Sequence, residues 1–189
     1  VFEIIFLMAF ECFSQKSFEQ SSSKIAFSLL IVFYTGFLLT FLSRMALLEN
    51  SRYVISLFLV YVFMCDSFAW FFGMLFGKTN RGFIKASPKK SIAGFIGGFI
   101  GSATAAVGSF YFFNKQFNGK LKELIIIALF TALFAIIGDI IESILKRSAD
   151  VKDSGKVILG RGGILDSIDS LLIAAPVFYT LCLFLLGGF

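Results

Sequence analysis

Carboxylates recur in this chain inside runs that are otherwise apolar. Asp66, Asp139, Glu142, Asp166 and Asp169 all lie within or at the edge of such runs. An ionisable group in that setting is costly and marks a functional site or a paired charge. Asp139, Glu142, Ser143 and Lys146 stand at i, i+3, i+4 and i+7, which places them on one helix face. Asp166, Asp169 and Ser170 repeat the i, i+3, i+4 spacing beyond a polar, glycine-containing loop. Two antiparallel helices joined by that loop can bring Asp139 and Asp166 together. Carboxylates without His, and with no Cys at ligand spacing, suit a hard oxygen-seeking cation such as Mg2+. The other reading of the same residues is a structural ion-pair cluster with Lys146, Arg147 or Arg161. Zinc-type sites are excluded by the absence of His and by the scattered positions of Cys12, Cys65 and Cys182.

A basic stretch supplies a second half. Ser87-Pro88-Lys89-Lys90-Ser91 lies immediately before a helix is expected to begin. Its hydroxyls can cap that helix, and free N–H groups with the two lysines favour a phosphate. Contact with anionic lipid headgroups is the alternative. A cation site beside a phosphate site is the equipment of phosphoryl or nucleotidyl transfer. A position within the membrane points to a lipid as one substrate. Paired intramembrane acids also mark ion pathways, so a cation-coupled transporter stays open, although no internal repeat of the kind transporters carry is visible.

The elements that must position these residues are membrane helices. The chain is 58% hydrophobic and 15% charged, with a mean hydropathy of +0.89, where a soluble domain carries about 25% charged residues. Its apolar residues fall in blocks of about 20, the length of a helical span. The expected fold is all-α, a polytopic transmembrane helical bundle with five clear spans and a partial N-terminal one. The spans are expected at residues 25–42, 53–76, 92–113, 124–145 and 164–186, after a partial one at 1–13. Residues 1–24 then form a partial span and polar loop, and residues 25–189 the membrane-embedded catalytic domain. The chain opens on Val1 inside an apolar run, without a basic n-region or a cleavage site. A segment or truncated chain is therefore expected rather than a signal peptide. The 27 Phe residues read as lipid-facing bulk, and the cysteines as free buried thiols.

Alternating spans sort the loops onto two sides. Twelve of the 17 Lys and Arg residues fall in the loops 14–24, 77–91 and 146–163, and five on the other side. The positive-inside rule puts the first set in the cytoplasm, so both chemically distinctive stretches share that face. The basic residues sit in short loops, which argues against a nucleic-acid partner. Gly94/Gly98 and Gly97/Gly101 form two GxxxG pairs, which let helix backbones approach closely, within the chain or in a homodimer.

These motifs resemble the phosphatidate cytidylyltransferase (CDP-diacylglycerol synthase) family. The resemblance rests on Ser143-Ile-Leu-Lys146-Arg147, Lys152-Asp153, Gly162-Gly163-Ile-Leu-Asp166 and Asp169. It extends to Asp66-Ser-Phe-Ala-Trp-Phe-Phe-Gly73 and to the basic stretch 87–91 with its following glycines. It implies transfer of CMP from CTP to phosphatidate, giving CDP-diacylglycerol and pyrophosphate. Related lipid nucleotidyltransferases and polyprenol kinases are the neighbouring activities. The resemblance implies Mg2+ at Asp139 and Asp166, and catalytic roles for Lys146, Arg147, Lys152, Asp153, Arg161 and Asp169. It implies substrate binding by Asp66, Ser87, Lys89, Lys90, Glu142 and Ser143. It further implies a multi-pass protein of the bacterial inner membrane with its site facing the cytoplasm. Three positions depart from the family pattern. Arg161 stands where His is usual, Ser167 where Arg is usual, and Leu159 where a small residue or Pro is usual. Arg161 keeps a positive charge but cannot shuttle protons near neutral pH.

Overall fold

The computed structural model describes residues 2–14, 18–157 and 162–187. Eight α-helices are assigned among them: α1 (Phe2–Ser14), α2 (Ser21–Ile31), α3 (Leu38–Ala46), α4 (Ser51–Phe76), α5 (Ile92–Phe112), α6 (Asn114–Phe117), α7 (Leu121–Ser148) and α8 (Leu165–Leu186). A π-helical segment, Val32–Phe37, lies between α2 and α3. Five stretches are long and apolar enough to cross a membrane: Ser21–Ala46, Ser51–Phe76, Ile92–Phe112, Leu121–Ser148 and Leu165–Leu186. These are the five spans read from the sequence, with ends displaced by up to four residues. The chain is a multi-pass membrane protein.

Two compact units divide at Thr40 and Phe41. In the first, Glu11 on α1 is largely buried and accepts a 2.8 Å hydrogen bond from Ser21 Oγ. Lys24 approaches the same carboxylate at 3.9 Å. Cys12 is exposed there, whereas Cys65 and Cys182 in the second unit are buried. The reading of all three as buried thiols therefore holds for two. Cys12 falls on the outer face of a helix that buries only Glu11 among its described side chains.

The second unit holds the site. Helices α4 and α5 pack antiparallel through the glycines of α5. A Cβ on Gly97 would lie 2.7 Å from the Phe68 carbonyl, and one on Gly98 2.9 Å from Cys65 Sγ. The GxxxG pairs thus serve an internal contact between α4 and α5. Ser102 Oγ donates to the Tyr61 carbonyl at 2.8 Å across the same seam. Helices α7 and α8 also pack antiparallel, and their close approach depends on Gly138. A Cβ there would stand 2.7 Å from the Asp169 carbonyl and 3.2 Å from Ile173 Cβ. Away from the polar ends, Phe58, Tyr61, Leu124, Ile127 and Phe178 pack in a buried apolar core. Phe178 meets Phe58 at a ring separation of 5.1 Å. Phe63, Phe71, Phe76 and Phe184 are exposed, as expected of side chains that face lipid, while Phe58, Phe117 and Phe178 are buried.

Candidate active site

The C-terminal halves of α4 and α7 and the N-terminal ends of α5 and α8 enclose one polar cavity of about 440 Å3. Five carboxylates line it, Asp66, Asp139, Asp153, Asp166 and Asp169, together with Lys90 and Lys146. The walls are completed by Ser91, Ser167, Ser170 and the apolar Trp70 and Phe95. At 1.5 Å of rise per residue, Asp66 lies about 15 Å of helix from the end of α4, so the cavity reaches well into the depth of the bundle.

Local sequence accounts for each wall. Ser91 adopts an extended backbone and its hydroxyl accepts from the Gly94 N–H at 3.0 Å, capping α5. Asn80 fixes the preceding loop. Its carbonyl accepts from the Ile92 N–H at 3.2 Å, and its side-chain oxygen accepts from the Ala93 N–H at 3.4 Å. The expectation that free N–H groups at this helix start would hold a phosphate is corrected by these bonds. The first three donors of α5 are already satisfied, so attraction for an anion here falls to Lys90. Lys90 is delivered into the cavity and pairs with Asp139 at 2.6 Å.

On the opposite wall, Lys146 is held between two carboxylates. Its Nζ donates to Asp166 Oδ1 at 2.6 Å and pairs with Glu142 one turn earlier on α7. Asp166 is held by further donors in turn. Its Oδ2 accepts from Ser154 N at 2.8 Å, from Ser154 Oγ at 2.7 Å and from Gly163 N at 2.6 Å. Four donors thus converge on one carboxylate, three of them on Oδ2, which leaves acceptor capacity on Oδ1. Gly162 makes this possible. Its φ is +103°, and a Cβ there would lie 2.7 Å from Asp166 Oδ2. Asp169, largely buried, accepts from its neighbour Ser170 N at 2.7 Å.

Of the residues singled out by sequence, the cavity therefore gathers Asp66, Lys90, Asp139, Lys146, Asp153, Asp166 and Asp169. Ser91, Ser167 and Ser170 line it as well, whereas Glu142, Ser143, Arg147, Lys152, Ser87 and Lys89 do not. Glu142 is 1% exposed and lies behind Lys146, so its reading as a substrate contact is corrected: the lysine stands between it and the cavity. Ser143 is buried on α7, outside the lining. Arg147 is exposed and donates to the Val151 carbonyl at 3.1 Å. Lys152, Ser87 and Lys89 also stand outside the lining, Lys152 and Lys89 exposed. Arg161 and Leu159 lie outside the described residues. Sequence reasoning missed Ser154, whose two bonds to Asp166 cross a twelve-residue separation that no helical spacing signals. A second, apolar recess of about 750 Å3 adjoins the cavity through Asp66 and is lined by Ser67, Phe68, Trp70 and Phe71.

The profile of the cytidylyltransferase family matches residues 1–185. This chain belongs to that family. A phosphatidate cytidylyltransferase of Thermotoga maritima is 40% identical over 162 residues, 82% of this chain and 57% of the relative. Phosphatidate cytidylyltransferases of Staphylococcus haemolyticus and Staphylococcus aureus are 36% and 37% identical over 154 residues, each covering 80% of this chain and 56% of the relative. The chain thus spans little more than half the length of these curated relatives. Its matched portion includes α4, α5, α7 and α8, the four helices that build the cavity of this cytidylyltransferase-family chain.

Proposed function

We propose that this chain carries the catalytic centre of a phosphatidate cytidylyltransferase. The observation that carries the reading is the juxtaposition, at one end of four helices, of a carboxylate-rich cavity containing two lysines and an apolar recess that shares Asp66 with it. The polar cavity suits a nucleotide triphosphate with its counter-ions. The recess suits the acyl part of a lipid. Relatives named phosphatidate cytidylyltransferase support the assignment of CTP and phosphatidate to these two spaces.

Five carboxylates against two lysines leave the cavity with surplus negative charge. Such a wall repels a bare triphosphate and favours one that arrives with a divalent cation. The donor set is oxygen only, which fits Mg2+. Among the described residues, no group of three or more His, Cys, Asp or Glu forms a ready-made cage. That also fits Mg2+, which uses one or two carboxylates and completes its shell with water and substrate phosphates. Asp139 and Asp166 would hold it, each releasing the lysine that now neutralises it. Bound there, the cation would polarise phosphate oxygens and offset developing charge.

A phosphatidate phosphate oxygen attacks the α-phosphorus of CTP. The new O–P bond forms as the bond from that phosphorus to the β-phosphate bridging oxygen breaks, and the electron pair leaves with pyrophosphate. The nucleophile is already anionic, so positioning and charge neutralisation carry the rate rather than a general base. Lys90 and Lys146 bind and orient phosphate oxygens and offset the charge that grows on the leaving group. The concentration of Lys and Arg in the loops at this end supports a site on the cytoplasmic side. The test is CTP- and Mg2+-dependent conversion of phosphatidate by the purified protein in detergent, with pyrophosphate and CDP-diacylglycerol measured together.

A further inference from the structure

We infer that Glu142 is a positioning residue that acts through Lys146 and touches neither substrate. The inference rests on the reading of the cavity as a cytidylyltransferase site and deepens it. Glu142 is 1% exposed and absent from the cavity wall. Neither of its oxygens has a hydrogen-bond partner of ordinary geometry, and the cation recorded on it is Lys146. A buried carboxylate so placed is costly on its own. It is retained one helical turn before the one lysine that lines the cavity on this wall.

The geometry shows what that arrangement does. An ammonium has three N–H donors. Lys146 donates one to Asp166 beside it, and its ammonium lies in ion-pair contact with Glu142 behind it. The ammonium keeps donor capacity for the cavity, which the lysine side chain lines at 17% exposure. A lysine stem has four rotatable carbons and loses most of that freedom only when its head is held from more than one side. Asp166 cannot do this alone, because its oxygens also tie down Ser154 and Gly163. Were Asp166 to take a divalent cation, Glu142 would remain as the anchor that keeps the ammonium aimed.

The experiment is a double-mutant cycle of Glu142→Gln and Lys146→Met in the purified full-length protein, read by steady-state kinetics and by thermal unfolding in detergent. Glu142→Gln is expected to lower kcat by about 10–100-fold, the usual cost of removing an outer-shell partner, with the KM for CTP moving by less than about threefold because the loss is of transition-state charge stabilisation. In the Lys146→Met background the same change is expected to leave kcat unaltered. It should raise the unfolding temperature there, since it removes a buried charge that has lost its partner. Glu142→Asp, one methylene shorter, is expected to recover the charge but not kcat. A wild-type kcat in Glu142→Gln, or an equal fractional loss with and without Lys146, overturns the inference while leaving the cytidylyltransferase reading intact. A wild-type protein that consumes no CTP overturns both.

Discussion

Lys90, delivered by the loop before α5, and Asp139, on the inner face of α7, form a 2.6 Å ion pair across the cavity. The pair ties the basic half of the site to the acidic half. It is also accessible, since the Asp139 side chain is 41% exposed. The Lys90 side chain is 16% exposed, but the open carboxylate keeps the pair's contribution to stability small, closer to that of an exposed pair. Lys90→Met is therefore expected to leave the unfolding temperature nearly unchanged while reducing turnover by about 100-fold, the order of one preorganised charge donor. Parallel thermal unfolding and CTP-consumption assays check this.

Asp139→Asn and Asp166→Asn are each expected to abolish Mg2+-dependent turnover but to differ in stability. Asp166 anchors Lys146, Ser154 and Gly163, and removing the acceptor charge from this partly exposed network costs about 1–3 kcal/mol. Asp139 has no comparable set. Unfolding of the two variants, with Mg2+ titrations of residual activity, separates the roles. Full activity in both would remove the metal assignment.

Ser154→Ala tests the loop that follows α7. The change deletes the 2.7 Å bond to Asp166 Oδ2 and the acceptor of the Asp166 N–H, while the Ser154 N–H bond remains. A loss of about 1 kcal/mol is expected, with faster amide exchange across residues 149–157 and a smaller loss of activity than in Asp166→Asn. Hydrogen exchange read by mass spectrometry reports it.

Gly138 and Gly108 form a contrasting pair. A Cβ at Gly138 would strike the Asp169 carbonyl at 2.7 Å, so Gly138→Val is expected to force α7 from α8 at the level of Asp139 and Asp169. A cost of about 1–3 kcal/mol follows for overpacking, with loss of turnover. Nothing lies within 4 Å of a Cβ at Gly108. Gly108→Ala is expected to be neutral or to stabilise α5 by up to about 1 kcal/mol. Thermal unfolding of both variants decides.

Much of this was legible in the residues because bilayer thickness sets the length of apolar blocks. The five spans followed from hydropathy, and helical spacing put Asp139 and Asp166 on adjoining helices that line one cavity. What was not legible depends on contacts across a loop or on which side of a helix faces another. Spacing put Glu142 and Lys146 on one face, but it could not say that the glutamate lies behind the lysine. It named hydroxyls and free amides before α5, but not that Asn80 would claim two of the amides. Nor could it separate an internal role for the glycines of α5 from a homodimer contact. The opposing residues, Phe68 and Cys65 on α4, lie about thirty positions away.

The most direct measurement is CTP- and Mg2+-dependent conversion of phosphatidate by the purified protein in detergent, following nucleotide, pyrophosphate and lipid product together. The expected result is one pyrophosphate and one CDP-diacylglycerol per CTP consumed, lost on chelation of Mg2+ and restored by its return. No consumption of nucleotide, with lipid-independent cation flux in reconstituted vesicles, would contradict the assignment.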